Sequence, residues 1–263
     1  MKIFSINAIS IFGYLIIGVF YPLLWFQGKR LKRGVPRLPT PGDCPFGTCK
    51  GEDKEFNILG LGESPMAGVG IDKHSFTLTG LTALRLNKLL GCSVNWKILA
   101  ESGIILKKLN KLIWEQSNEY ADLVLVSMGG NDVFQLTPPW VWKNNINTCV
   151  KLLFQNYKKP LILFSPVPPV GRFPAIPNPL KIAFGFWEFL LQASLAQAIN
   201  SMDNAYLLDE RFPDGKEYYL EDGIHPSSMA YVPWSEKLAI MSVELLNQKK
   251  FLIDDKVIFT SGD

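Results

Sequence analysis

Ser64, Asn131, Asp222 and His225 are the residues of this chain whose types and settings could do chemistry together. Ser64 lies in "NILGLGESPMAGVGID", just past a short apolar run and with glycines on both sides. A serine hydroxyl becomes a nucleophile when a base within hydrogen-bond reach takes its proton, and that base needs a carboxylate to hold its tautomer. "EDGIHPS" supplies both groups in one loop: His225 is one of only two histidines, and Asp222 precedes it by three residues. The "GGND" run from Gly129 to Asp132 is a third polar motif, directly after an apolar run. Singly each motif is commonplace, since serine and glycine are ordinary turn residues and a lone histidine is more often structural than catalytic. Jointly they meet the needs of one mechanism, a serine activated by a histidine that a carboxylate orients. The spacing excludes the nucleophile elbow of α/β-hydrolases, which requires glycine two residues after the serine, where this chain has Met66.

Such groups must be positioned by something, and apolar runs alternate with amphipathic stretches from residue 56 onward. "FNILGL", "SVNWKILA", "DLVLVSM", "PLILFSPV" and "AYLLDE" read as strands, their near-continuous apolar character fitting burial on both faces. Between them, "SFTLTGLTALRLNKLLG", "IILKKLNKLIWEQSNEY", "WVWKNNINTCVKLLFQNYKK" and "PLKIAFGFWEFLLQASLAQAINSM" have helical periodicity, and a last helix follows in "SSMAYVPWSEKLAIMSVELLNQ", where Pro233 is expected to kink or interrupt the start. The alternation predicts an α/β domain, a flavodoxin-like three-layer sandwich with a five-stranded parallel sheet. Ligands of such sheets bind beyond the carboxyl ends of the strands. Ser64 and the "GGND" run both fall close after predicted strands, and "EDGIHPS" immediately precedes the last helix.

In order, these motifs resemble those of the SGNH hydrolase superfamily, also called the GDSL esterases and lipases, and of its membrane-anchored bacterial members in particular. The family's first block is matched by Gly62, Glu63 and Ser64 with Gly68, its second by Gly103 in "AESGII", its third by Gly129 to Asp132, and its fifth by Asp222 to His225. The resemblance implies Ser64 as nucleophile, His225 as general base and then acid, and Asp222 as its orienting carboxylate. It implies an oxyanion hole made by the backbone N–H groups of Ser64 and Gly103 and the Asn131 side chain. Two departures stand out: Glu63 replaces the usual aspartate, and the second block is reduced to "ESGII". The implied activity is serine esterase or lipase action on acyl esters, a lysophospholipid or another small acyl ester, with no cofactor. An acyltransferase or carbohydrate deacetylase on the same fold, or a catalytically silent membrane-bound binding module, are the alternatives.

From Ile3 to Phe26 the chain carries 24 residues without a charge, enough to span the hydrocarbon of a bilayer, so one N-terminal transmembrane helix is expected. A cleaved signal peptide is the competing reading, disfavoured by the length of the run and the lack of a small-x-small site after it. Lys29, Arg30, Lys32, Arg33 and Arg37 follow with no acid before Asp43, which by the positive-inside rule places the domain in the cytoplasm of a single-pass protein of the bacterial inner membrane, the periplasm being the alternative. Without these five and Lys2, 21 of the 27 basic residues remain against 24 acids, so nothing points to nucleic acid; the flank suits anionic lipid. The chain thus divides into an anchor (1–28), a basic flank and linker (29–54) and a hydrolase domain (55–263). Cys44 and Cys49 could pair if exported, but have no partners for a zinc site, and His74 reads as a surface or capping residue. For substrate binding the expected residues are Trp140, Arg172 and Phe173, with Phe134 and Trp142: aromatics to wall an acyl chain and a cation to meet an anionic head group, or alternatively cover for the sheet edge and a surface salt bridge.

Overall fold

The computed structural model describes residues 3–116, 119–209 and 212–249. Residues 250–263, assigned above to the hydrolase domain, lie outside the described residues, as do Ser117 and Asn118 of the second expected helix and Glu210 of the fifth expected strand.

All five expected strands form, as β2 (Glu52–Gly62), β3 (Cys92–Ala100), β4 (Leu123–Ser127), β5 (Leu161–Phe164) and β6 (Ala205–Leu207), and they are mutually parallel. A sixth strand, β1 (Phe46–Cys49), comes from the stretch read as linker and pairs antiparallel with β3, giving the order β1-β3-β2-β4-β5-β6. β1 has the weak signature of an edge strand: four residues between prolines, glycines and cysteines, held by backbone pairing.

Successive residues of a strand point to opposite faces, and here that alternation splits the core in two. Phe56, Ile58, Val94, Leu123 and Leu125 face α3 (Leu78–Leu90) and α8 (Ser228–Lys249). Leu59, Leu61, Val124, Val126 and Ile162 face α4 (Leu106–Glu115), α6 (Pro139–Asn156) and α7 (Leu180–Ile199). α8 runs through Pro233 without interruption, contrary to the expected break. Pro233 lies only five residues into the helix, so the bond it forfeits is to the carbonyl of Met229, an exposed residue that water can serve.

The N-terminal apolar run forms α1 (Ile3–Gly34), a 32-residue helix that continues through the basic flank. It lies against α7, with Ile6, Ser10, Ile17 and Leu24 buried, and adds an outer layer to the sandwich. The approach is close at Gly13, where a Cβ would stand 2.5 Å from Cε1 of Phe186. The Tyr14 ring packs against Trp187 with centroids 4.4 Å apart and planes tilted by 57°, and its hydroxyl donates to the carbonyl of Leu136 at 2.6 Å. The Gln27 amide donates to the carbonyl of Asn178 and accepts from the N–H of Leu180. The following segment straps the domain: the carbonyl of Pro39 accepts from Gly70 at 2.7 Å, and Asp43 binds both the backbone N–H and Nδ1 of His74. His74 is thereby only 7% exposed, a buried anchor of this strap and no surface residue.

Register places the site. Gly62 pairs with Ala100 on one side and Ser127 on the other, so β2, β3 and β4 end level with one another. The three loops that leave them carry Ser64, Gly103 and Asn131.

Candidate active site

β2 ends at Gly62, and the chain turns at once into α2 (Ser64–Ala67), a single helical turn that Ser64 opens. Pro65 suits the start of a helix, where its missing N–H goes unused. The turn is clamped from both neighbouring helices: the hydroxyl of Tyr231 on α8 donates to the carbonyl of Pro65 at 2.9 Å, and buried Met66 accepts from Thr79 of α3. Ser64 therefore stands on a rigid support at the mouth of the sheet.

Asp222 and His225 share one tight loop. The carbonyl of His225 accepts from Leu220, and Tyr219 and Pro226 form an isolated bridge that closes the loop's base. Asp222 accepts from the N–H groups of Ile224 and His225 through Oδ1, at 2.9 and 3.0 Å, and its Oδ2 lies 2.5 Å from Nδ1 of His225. This pairing puts the proton on Nδ1 and leaves Nε2 free to act as a base. Burial raises the pKa of Asp222, but the bonds from the His225 ring and the two backbone N–H groups outweigh it and hold the carboxyl below its ordinary value, so it stays ionised.

The third loop begins at Gly129 and leads into α5 (Gly130–Phe134). Glu63, the residue beside Ser64, is buried directly beneath it. Its Oε1 accepts from the N–H of Gly130 at 2.7 Å, and its Oε2 accepts from the backbone N–H of Asn131 at 2.9 Å and from Nδ2 of the same residue at 2.5 Å. The carboxyl thus fixes both the backbone and the side-chain amide of Asn131. Asp132, fully buried, accepts from the N–H of Leu106 at 3.0 Å and from the Thr137 hydroxyl, tying α5 to the start of α4.

Ser64, Gly103, Asn131 and His225 line one cavity of about 1070 Å³, with Asp222 behind His225. Gly103 has φ +81° with open space where a Cβ would be, so its backbone reaches the cavity in a conformation that L side chains rarely adopt. Among the described residues the Ser64 hydroxyl makes no hydrogen bond to the His225 ring. Both groups line the cavity, and such catalytic hydrogen bonds often form only with substrate bound. The described residues contain no group of three or more His, Cys, Asp or Glu side chains placed to hold a metal ion.

Phe134 and Phe173 line the cavity, with ring centroids 6.4 Å apart, and Tyr219 packs edge-on against Phe173. Arg172 stands at the rim, paired with Asp214 and donating to the carbonyl of Phe212, so its charge is already engaged. Trp140 does not reach the cavity. It points outward from the first turn of α6, 40% exposed, because residues two apart on a helix face nearly opposite ways and Trp142 is the one turned inward. Trp142 is core, its Nε1 donating to the carbonyl of Leu191. Sequence reasoning missed the grip of Glu63 on Asn131, and the aromatic wall of Tyr219, Phe212 and Trp234. The sole signal for the first was Glu63 itself, a charged residue at the end of an apolar strand.

Burial pushes Glu63 up to about 7, against the lowering pull of the Asn131 and Gly130 N–H groups, and it pushes Asp132 to about 6. Both acids bind a proton more tightly folded than unfolded. The stability they contribute is complete below their ordinary values of 4.5 and 3.8 and is lost as the pH rises through about 6 to 7. Stability from urea unfolding is therefore expected to be greater at pH 5 than at pH 8, by on the order of a few kcal/mol. Glu63→Gln should shrink that difference, and a midpoint that rises between pH 5 and 8 would contradict the assignment.

A model of the GDSL-like lipase/acylhydrolase family matches residues 58–238, a span that includes all these groups. No curated protein matches the chain in sequence. Among solved structures, a lipase from a goat rumen metagenome is 20% identical with a TM-score of 0.54, covering 70% of this chain and 96% of its own. A psychrotrophic esterase from Pseudoalteromonas sp. is 17% identical with a TM-score of 0.55, covering 73% and 98%. A carbohydrate acetylesterase from Sinorhizobium meliloti is 17% identical with a TM-score of 0.53, covering 72% and 99%. At such identities the likeness is one of fold.

Proposed function

We propose, for a chain that belongs to the GDSL-like lipase/acylhydrolase family and is a serine hydrolase acting on acyl esters, that the reaction runs through an acyl-enzyme on Ser64. The observation that carries this reading is the convergence of Ser64, Asn131 and the Asp222–His225 pair on one cavity at the level ends of three strands. His225 Nε2 takes the Ser64 proton as the hydroxyl attacks the ester carbonyl, while Asp222 stabilises the imidazolium that forms. The N–H groups of Ser64 and Gly103 and the Asn131 amide receive the oxyanion. His225 then returns its proton to the leaving alcohol, and water admitted on the same path releases the acid.

The cavity's aromatic wall supports an acyl chain as the part of the substrate that is buried, as in a lysophospholipid or comparable ester. Water and a second alcohol are equivalent acceptors to such a site, so acyl transfer is the second reading, and the fold shared with a carbohydrate acetylesterase keeps sugar acetates within it. α1, uncharged from Ile3 to Gly28 and carrying four basic residues in its last turns with Arg37 just beyond, supports attachment to an anionic membrane with the domain on its cytoplasmic side, where anionic lipid attracts basic segments.

The test is hydrolysis of nitrophenyl esters from acetyl to long chain by the full-length protein. A rise of kcat/KM with chain length is expected. Preference for acetate alone would favour a deacetylase. Absence of turnover together with no labelling of Ser64 by an active-site phosphonate, in folded protein, would reject the reading.

A further inference from the structure

α1 is bound to the domain along nearly its whole length. Contacts begin at Ile6 and Ser10, continue through Gly13 and Tyr14 on Phe186 and Trp187, and end at Gln27 on Asn178 and Leu180. At about 1.5 Å per residue that engaged stretch is about 30 Å long, the full thickness of a bilayer's hydrocarbon. No uncharged part of the helix is left over to cross a membrane by itself. Crossing would either strip α1 from its seat or draw α7, with Lys181 and Glu188, into the lipid, where charged side chains are costly.

The opposite face of α1 is what lipid would meet. Phe12, Leu15, Val19, Phe20 and Phe26 are all exposed and carry no charge. Ile182 and Phe189, seven residues apart on one face of α7, extend this apolar surface beyond α1 and are also exposed. Phe189 lines the active-site cavity as well, so the apolar surface runs up to the mouth of the site. The last two turns of α1 carry Lys29, Arg30, Lys32 and Arg33, and Lys29 stands 3.9 Å over the ring of Trp25. Arg30 shares a cleft with Glu221 and Asp222, so the basic end of the helix lies beside the loop that carries His225.

We propose that α1 lies in the plane of the membrane, seated with Ile182 and Phe189 in one leaflet of an anionic phospholipid bilayer, so that the cavity opens at the lipid surface and takes its acyl ester from that leaflet. An interfacial helix ordinarily needs a polar face to turn from the lipid, and here the docked domain takes that place. The basic residues at the end of α1 complement anionic head groups at the same level. The identity of the ester rests on the hydrolase reading given above, whereas the seating of the helix does not.

The seating is tested first, on the full-length protein in sealed spheroplasts and in sealed inverted vesicles. Cys44 is exposed on the domain and serves as a natural reference; Lys2→Cys places a second thiol at the start of the chain. A membrane-impermeant maleimide is expected to label both thiols from the same side, whereas labelling from opposite sides means that α1 crosses and overturns the proposal. Second, Ile182→Glu lies outside the cavity and is expected to weaken flotation with phosphatidylglycerol vesicles by about tenfold, with hydrolysis of a dissolved short-chain ester kept. Unchanged flotation would overturn the seating of α7. Third, the wild type is expected to hydrolyse an acyl ester embedded in such vesicles. A chain that shows same-side labelling and flotation, and cleaves dissolved esters but no embedded one, retains the seating and loses the lipid substrate; one that cleaves neither refutes the hydrolase reading separately.

Discussion

Ser64→Ala is expected to lower kcat for ester hydrolysis by about 10⁴-fold or more, since the members of such a catalytic set act as a unit and the loss of the nucleophile forfeits nearly all they do together. The fold should be indifferent to the change. α2 is held through Pro65 and Met66, by Tyr231 and Thr79, and not through the serine hydroxyl. Unfolding midpoint and circular dichroism of the variant should therefore match the wild type, while the mass increment left by a fluorophosphonate disappears. Turnover retained within tenfold in a sample free of wild type would mean that another residue is the nucleophile.

The second large effect lies one residue earlier. Glu63 holds three donors at once, two of them on Asn131, so on the proposed mechanism the oxyanion donor is aimed by this buried acid. Asn131→Ala removes that donor and is expected to cost about 10² to 10³ in kcat. Glu63→Gln keeps the shape but replaces one acceptor oxygen with an NH₂ that must face the N–H of Gly130 or the two donors of Asn131. Donor then opposes donor in a buried place, and a loss of about 10²-fold in kcat is expected with KM little changed. The double variant should be scarcely worse than Asn131→Ala alone, because Glu63 acts through Asn131; fully multiplied losses would show that it has another role. In the wild type kcat should also rise with pH through about 7 as Glu63 ionises, a step that Glu63→Gln removes.

The sheet and the Asp222–His225 pairing were legible in the sequence because both are local. β4 is a run of five buried residues, and Asp222 and His225 are joined by one turn, so type and spacing suffice. β1 escaped notice because an edge strand of four residues needs only backbone pairing, which leaves no mark in side-chain pattern. The two tryptophans near the start of α6 differ in fate by helical phase, and a phase error of two residues exchanges wall for core. Glu63 was visible as an oddity, but its bonds reach 67 and 68 residues ahead, and no local pattern encodes that reach. α1 was legible as apolar and long. That one side of it packs on protein was not, because an all-round apolar helix has no contrasting face; Gly13 and Gln27 are faint clues, a small residue and an amide in an oily stretch.

The seat of α1 has a consequence for biogenesis. Translation delivers this helix well before its seat: Leu136, which receives the Tyr14 hydroxyl, is 122 residues further on, and Asn178, which receives Gln27, is 151 residues further. At the roughly 5–20 residues per second of bacterial synthesis, the most apolar segment of the chain waits on the order of ten seconds for the protein surface it will occupy. On the seating proposed above, a lipid surface beside the ribosome is the expected shelter for that interval, so that the nascent chain reaches its membrane before the fold it belongs to exists.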